Sequence, residues 1–180
     1  NIHNNVRKFV GKTGMEYAWE AQTSLAQPDY TAEMIAAANA KVDVLAVNMD
    51  QASTLRILRS ARRQGFSPMV VTYLSTNTDE FLNYGQEVEG VLAAATTANY
   101  STSPKLADMR DAVARFVPNG PPGAFTAQSW IMGKLLEKIA PRLPSPVTSK
   151  SLIDGMYSLR NETLGGLLPG ITYNQGEHVA

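Results

Sequence analysis

The sequence predicts an α/β fold with a doubly wound parallel sheet of about four strands, followed by a mainly helical segment. The first observation is a βαβ unit over residues 42–73, in which two strand-like apolar runs, 42–47 and 68–73, flank an amphipathic helix predicted at 54–64. A crossover of this kind joins parallel strands. The second observation is that strand and helix patterns alternate over residues 1–97 and that helical patterns dominate beyond them.

The remaining elements are predicted from hydrophobic spacing and from helix start and stop signals. An alternating segment with Tyr17 and Trp19 predicts a strand over 15–25, and an apolar run predicts a further strand over 89–97. Ser103-Pro104 is typical of a helix start, because proline fits the first helical position. The remaining helices are predicted at 1–14, 30–40, 79–84, 105–116, 124–139 and from Thr148 onward.

Composition and charge favour a globular protein without an electrostatic preference for polyanions. Of 180 residues, 44% are hydrophobic and 18% are charged, and the 16 basic residues equal the 16 acidic ones in number. This balance disfavours nucleic acid and anionic membrane surfaces as partners. No apolar run approaches the roughly 20 residues that span a bilayer. One predicted helix is basic, but it lacks neighbouring aromatic side chains to stack bases, so we interpret its arginines as a solvated face: Arg56, Arg59, Arg62 and Arg63.

The motifs that usually mark catalysis, metal binding or nucleotide binding are incomplete. Gly11-Lys12-Thr13 resembles the end of a phosphate-binding loop, but the upstream glycine is missing. The chain has no cysteine, and its two histidines, His3 and His178, stand at opposite ends, which disfavours a metal site or a Ser-His-Asp triad. Asp50 and Asp79 could pair as acid and base, although helix capping explains both. We therefore predict no catalytic residue, no metal site and no cofactor.

Polar residues follow both strands of the βαβ unit at their carboxyl ends. Asn48, Asp50 and Gln51 come directly after the first strand, at the start of a helix, where backbone N–H groups and the helix dipole favour a polar ligand group. The polar segment 75–78 occupies the same place after the second strand. Because parallel sheets bind ligands at the carboxyl ends of their strands, we predict a ligand site there, with simple helix capping as the alternative.

Five segments carry a resemblance to a known family. They are Pro28-Asp29-Tyr30-Thr31 before a helix, the strand, loop and helix at 42–65, the strand entry at 87–91, the helix start Gly123-Ala124-Phe125 followed by Trp130, and the closing turn at 164–176. In this order they resemble the type I periplasmic solute-binding proteins, specifically the branched-chain amino-acid-binding group of ABC transporters. Together they cover most of the chain.

The resemblance implies that the chain is the C-terminal portion of a two-lobed protein that closes around a solute by hinge motion. Residues 1–97 would form the second-lobe α/β unit, residues 98–163 helices that return to the first lobe, and residues 164–180 the crossover back to the second lobe. The chain begins at Asn1 rather than Met, so we expect a processed, trimmed or partial protein without its N-terminal lobe. Helices without the sheet that they normally cover would then need a partner, a swap or a rearrangement.

The resemblance also implies which residues touch the solute. These are Asn48, Met49, Asp50 and Gln51 after one strand, and Tyr73, Ser75 and Thr76 after the next. In amino-acid binders of this family, an acidic residue in the second loop meets the ligand ammonium, but Ser75-Thr76-Asn77 stand there in this chain. Either Asp50 substitutes for that acid, or the solute lacks an ammonium group.

The implied function is that of a non-catalytic, exported solute-binding component of an ABC importer, which holds a small polar organic solute such as an amino acid. Its partners would be the solute, a membrane permease and the N-terminal lobe of the same protein, and its location periplasmic or extracellular, with a lipoprotein anchor as one form. A ligand-sensing domain of the same fold is the alternative, and a small α/β enzyme is a third class. A signal or lipoprotein peptide upstream would favour transport, whereas a DNA-binding or transmembrane segment would favour sensing.

Overall fold

A computed structural model describes residues 2–73, 76–120 and 123–176 of the chain. The chain divides into two compact units. Asn1–Thr72 and Tyr84–Leu92 form the first, which we call the sheet unit, and Tyr73–Asn83 and Ala93–Ala180 form the second, which we call the helical unit. The assignment of residues 1–97, 98–163 and 164–180 to particular lobes stays a prediction.

The βαβ unit predicted from the sequence is present. Its elements and their neighbours are α1 (Ile2–Thr13), α2 (Thr31–Asn39), β1 (Val44–Val47), α3 (Gln51–Arg63), β2 (Met69–Thr72) and β3 (Leu92–Ala93). The strands form one sheet in the order β1-β2-β3. Strands β1 and β2 are parallel, with Val44 opposite Met69 and Val47 opposite Thr72. The predicted α/β class with a parallel sheet is therefore confirmed.

The sheet unit is held by one apolar face of the sheet and by the inner face of α3. Residues alternate along β1, so that Leu45 and Val47 are buried while Val44 is exposed. Helix α3 buries Leu55, Ile57, Leu58 and Ala61 and packs against α2. Each such leucine or isoleucine contributes about 1.5–3 kcal/mol relative to an exposed side chain. This packing fixes the start of α3 next to the end of β1.

The strand predicted over 15–25 is wrong, since residues 15–24 have no regular secondary structure. The period of two is nevertheless visible in burial, because Tyr17, Trp19, Ala21 and Thr23 are each less exposed than their neighbours. Alternation alone does not make a strand. A strand also needs a hydrogen-bonding partner, and the sheet contains none for this segment among the described residues. The strand predicted over 89–97 is also shorter than expected, at Leu92–Ala93.

The helical unit contains four α-helices within the described ranges. They are α4 (Asp79–Leu82), α5 (Ala107–Phe116), α6 (Ala124–Ile139) and α7 (Ser149–Tyr157). The predicted start at Ser103-Pro104 is a short 3-10 turn, Pro104–Leu106, that leads into α5. Among the residues that the structure describes, the core of the helical unit includes two apolar clusters: one contains Tyr100, Leu106, Met109, Ala124 and Ala127, and the other contains Leu135, Ile139 and Leu159.

Candidate functional site

The two polar loops begin at paired strand ends. Val47 closes β1 and Thr72 closes β2, and these two residues are partners in the parallel register. Asn48 and Tyr73 are the next residues of the chain, so each loop leaves the sheet from the carboxyl end of its strand. In parallel α/β sheets this is the edge at which ligands bind. That these loops contact a solute stays a prediction.

Asp50 caps α3 with its carboxylate. Its Oδ1 accepts a hydrogen bond from the Ser53 backbone N–H at 2.7 Å, and its Oδ2 accepts one from the Ser53 hydroxyl at 3.2 Å. The capping alternative left open by the sequence is therefore what the structure contains. The residue is still exposed, and a carboxylate offers about four acceptor positions, so capping does not exhaust its hydrogen-bonding capacity.

The neighbours of Asp50 present a mixed polar and apolar surface. Asn48 is exposed, while Met49 and Gln51 are half-buried, and Gln51 opens helix α3. The Thr23 hydroxyl donates a hydrogen bond to the Met49 Sδ at 3.3 Å. Residues near Thr23 are thus brought to the loop at 48–51, which sequence reasoning did not foresee.

Two Ser-x-x-Arg pairs on α3, seven residues apart, hold the segment 24–31 against this helix. Ser53 and Arg56 form the first pair, in which the Arg56 Nη2 donates to the Ser53 Oγ and to the Leu25 carbonyl, both at 2.8 Å. Ser60 and Arg63 form the second pair, with 3.0 Å between the Arg63 Nη2 and the Ser60 Oγ. The signal available in the sequence is the placement of two serines in α3, each followed three residues later by arginine.

The second predicted loop lies in the helical unit and is less open. Tyr73 is 44% exposed, whereas Thr76 is buried. The Thr76 hydroxyl and backbone N–H both donate to the Tyr73 carbonyl, at 3.0 and 3.1 Å, which closes a tight turn. Of the two, Tyr73 is the side chain that reaches solvent. Ser75, the remaining predicted contact in this loop, lies outside the described residues.

The segment that follows is anchored within the helical unit. Thr78 caps α4 by accepting from the Phe81 N–H at 3.2 Å, and the Asn77 carbonyl accepts from the Ala124 N–H at 3.0 Å. The Tyr100 hydroxyl donates to the Asp79 Oδ1 at 2.7 Å. Burial, together with this carboxylate, raises the pKa of Tyr100 above its ordinary value. Asp79 thus accepts from a buried phenol at the first position of α4, and the cap expected from Asp79 is supplied by Thr78 instead.

The basic face of α3 is paired with acidic groups and a carbonyl. Arg59 forms a bidentate ion pair with Glu87, with N···O distances of 2.6 and 2.9 Å, and holds the pKa of that carboxyl below its ordinary value. Arg63 pairs with Asp29, whose pKa is lowered by hydrogen bonds from Thr31 and by this arginine. Arg62 donates to the Gln86 carbonyl at 3.2 Å. These contacts agree with a solvated, locally neutralised face for Arg59, Arg62 and Arg63, whereas Arg56 is half-buried against the segment 24–31 and is not part of that face.

Within the described part of the chain, no group of three or more His, Cys, Asp or Glu residues is arranged to hold a metal ion. In the same ranges, none of the helices combines the length and the apolar character needed to cross a membrane.

Many α/β proteins bind small molecules at polar loops that follow the carboxyl ends of adjacent parallel strands. The sequence profile of one family, described as periplasmic binding protein, matches residues 1–179. The chain belongs to this family. No curated protein matches it in sequence.

Several solved structures share the fold. An extracellular ligand-binding receptor from Rhodopseudomonas palustris HaA2 is 19% identical with a TM-score of 0.74, and the match covers 94% of this chain and 51% of that one. A leucine-binding protein from Thermotoga maritima is 18% identical with a TM-score of 0.70, covering 97% and 49%. A fatty acid ABC transporter substrate-binding protein from Thermomonospora curvata is 18% identical with a TM-score of 0.77, covering 95% and 45%. The chain thus spans about half the length of these structures.

Proposed function

We propose that this chain is the C-terminal part of an extracytoplasmic solute-binding component of an ABC importer. It holds a small polar organic solute, such as an amino acid or a related compound, and delivers it to a membrane permease without catalysis. Membership of the periplasmic binding protein family supports this function, as do neighbours described as a fatty acid ABC transporter substrate-binding protein and a putative branched-chain amino acid ABC transporter. The observation that carries the proposal is the polar loop at residues 48–51, which stands at the carboxyl end of β1 and is fixed by the capped start of α3.

The loop chemistry points to a solute with hydrogen-bonding groups. Asn48 and Gln51 offer carboxamides, and Asp50 offers the carboxylate that would meet an ammonium or hydroxyl group. Met49 adds an adaptable apolar side chain to the first loop, and Tyr73 adds an aromatic one to the second. Ser75 and Thr76 complete the proposed set in the second loop. The fold does not identify the solute, since neighbours of similar TM-score are described as a leucine-binding protein and a fatty acid ABC transporter substrate-binding protein.

The rest of the parent protein is the proposed partner of an exposed apolar stripe on α6. Phe125, Met132 and Leu136 are 52%, 44% and 42% exposed and follow one another at intervals of seven and four residues, which places them on one face of the helix. An apolar face of this kind is normally covered in a soluble protein. We therefore propose that the N-terminal lobe packs on it and supplies the opposite wall of the solute cleft.

The decisive experiment begins with a thermal-shift screen of amino acids, aromatic acids and short polar organic acids on the full-length parent protein, because a bound solute raises apparent stability by mass action. The best solute is then titrated into Asp50→Asn and Ser75→Ala variants. Asparagine keeps the helix cap but removes the charge, so a loss of affinity would report on the carboxylate itself. We expect at least a roughly ten-fold loss, about 1.4 kcal/mol, for one or both variants.

The matched control is Thr148→Ala, which removes the cap of α7, where the Thr148 hydroxyl accepts from the Ser151 N–H at 3.1 Å. This variant should lose stability without losing affinity. Unchanged affinity in both Asp50→Asn and Ser75→Ala would refute the site. Absence of any thermal shift across the screen would refute the proposed solute class.

A ligand-sensing domain of the same fold is the second candidate, since several neighbours are described as extracellular ligand-binding receptors. Both functions use the same loops. The sequence upstream of this chain in its gene separates them, because a signal or lipoprotein peptide accompanies transport and a DNA-binding or transmembrane segment accompanies sensing.

A further inference from the structure

We propose that Ser53 and Arg56 are positioning residues for the solute loop at 48–51. They would act by fastening the segment 23–25 to the start of α3, so that Asp50 and Met49 keep one geometry before the solute arrives. The predicted effect of these two residues on solute binding rests on the proposed function. The hydrogen-bonded arrangement that carries it lies entirely within the sheet unit.

The first step is the connection from Asp50 to Ser53. Ser53 is fully buried, and its hydroxyl is the donor to the Asp50 Oδ2 at 3.2 Å. The Ser53 Oγ also lies 3.4 Å from the Leu25 carbonyl oxygen. Ser53 therefore stands between the loop carboxylate and the backbone of a segment that precedes it by 28 residues.

The second step is the arginine that joins these groups. The Arg56 Nη2 reaches both the Ser53 Oγ and the Leu25 carbonyl at 2.8 Å, so one nitrogen bridges the two. The guanidinium carbon lies 6.0 Å from the centre of the Tyr30 ring, whose hydroxyl donates to the Ser24 carbonyl at 2.9 Å. The planar guanidinium holds its donors in a fixed direction, which a lysine ammonium does not reproduce.

The third step is the contact that closes the arrangement on its other side. The Thr23 hydroxyl donates to the Met49 Sδ at 3.3 Å, two residues before Leu25. The segment 23–25 is thus attached to α3 through Arg56 and to the loop through Met49. Loss of the arginine would leave the Leu25 carbonyl with only the long contact to Ser53, and both ends of the arrangement would loosen.

The second Ser-x-x-Arg pair supplies a natural control. Arg63 donates to Ser60 and to Asp29, and the Ser60 Oγ accepts from the Tyr30 N–H at 3.2 Å. This pair has the same chemistry on the same helix, but it contacts residues 29–31 rather than 23–25 and lies about two turns farther from Asp50. A general effect on stability should follow from losing either arginine, whereas an effect on the loop should follow only from losing Arg56.

The test compares Arg56→Met, Arg56→Lys and Arg63→Met in the full-length parent protein by hydrogen exchange, read at the backbone amides of residues 48–53. We expect Arg56→Met to speed exchange at the Ser53 amide, the donor to Asp50, by about ten-fold or more, because local opening is governed by local hydrogen bonds. Arg56→Lys should restore exchange only in part. Arg63→Met should leave this amide within about two-fold of the parent while lowering the unfolding midpoint.

Binding is measured on the same variants with the standard amino acids as probes, each titrated singly. Arg56→Met should weaken the best probe by about five-fold or more, because a loop that must first be ordered binds with a lower apparent affinity. Equal exchange at the Ser53 amide in Arg56→Met and Arg63→Met would overturn the positioning role, whatever the probes do. If no amino acid binds any variant, including the unaltered protein, an amino acid is excluded as the solute, and the exchange comparison still decides whether Arg56 positions the loop.

Discussion

Three fully buried hydroxyl groups on α3 differ in whether they are hydrogen-bonded. Ser53 and Ser60 each join a network with arginine and backbone groups. The Thr54 hydroxyl, by contrast, is buried without a hydrogen-bond partner in the described part of the chain. A buried polar group without a partner costs about 1–3 kcal/mol, so these neighbouring residues should respond oppositely to the loss of their oxygen.

Thr54→Val should stabilise the chain by about 1 kcal/mol, because valine keeps the branched shape and removes the unpaired hydroxyl. Ser60→Ala is the matched variant and should destabilise by about 1–3 kcal/mol, because it leaves the Tyr30 N–H without its acceptor. Urea unfolding of both variants measures the two changes. A destabilising Thr54→Val would mean that this hydroxyl has a partner after all.

The buried phenol of Tyr100 donates its hydrogen bond to the carboxylate of Asp79. Tyr100→Phe should lower stability by about 1–2 kcal/mol, near the low end for hydrogen bonds to charged groups because the half-exposed Asp79 can be solvated again. A double-mutant cycle with Asp79→Asn isolates the pair. Strict additivity of the two single changes would show that the 2.7 Å contact contributes nothing.

Local patterns in the sequence were sufficient for the helices and for the βαβ unit, because their signals lie within a few residues of one another. The cap at Asp50 was likewise predictable, since it involves only Asp50 and Ser53. The lack of a strand over residues 15–25 was not predictable from local patterns, because a strand forms only where another part of the chain supplies a hydrogen-bonding partner.

The hydrogen-bond network of Ser53 and Arg56 beside the candidate site could not be predicted from the sequence for a related reason. The contacts of Arg56 and Ser53 with Leu25 join residues 31 and 28 positions apart, a distance over which spacing rules carry no information. The sequence does contain the repeated Ser-x-x-Arg pattern in α3. Only the structure shows that the carbonyl that Arg56 contacts is that of Leu25.

Two helix glycines offer a matched test of packing. A Cβ added at Gly133 in α6 meets nothing within 4 Å among the described residues, whereas one at Gly155 in α7 would lie 2.9 Å from the Leu143 Cδ2. Gly133→Ala should therefore stabilise this chain by about 0.5–1 kcal/mol through helix propensity. Gly155→Ala should destabilise it, because Leu143 and Ile139 must shift. Thermal unfolding of the two variants decides the matter, and a loss of stability in Gly133→Ala would contradict the open environment assigned to α6.

The charges of the chain as a whole sum to zero, yet several acidic groups are individually tied to basic ones. Arg59 pairs with Glu87, Arg63 with Asp29 and Lys138 with Glu162. In each case hydrogen bonds and the neighbouring cation hold the carboxyl pKa below its ordinary value. A carboxyl group whose pKa is lower in the folded state than in the unfolded chain stabilises the fold at neutral pH, and this contribution is lost as the pH falls.

The stabilisation contributed by these three carboxyl groups should therefore be fully present above about pH 5 and fall as the pH drops below the ordinary carboxyl values, 4.5 for glutamate and 3.8 for aspartate. Below these values the unfolded chain binds protons before the folded one does, and the stabilisation is lost once the pH passes the depressed folded-state pKa. Glu162→Gln is the informative variant, because glutamine can still accept from the Leu164 N–H, now 2.7 Å from Oε1, but does not titrate. Unfolding midpoints measured across this range should converge between variant and parent as the pH falls, and a constant difference down to about pH 3 would show that Glu162 does not contribute to the acid sensitivity.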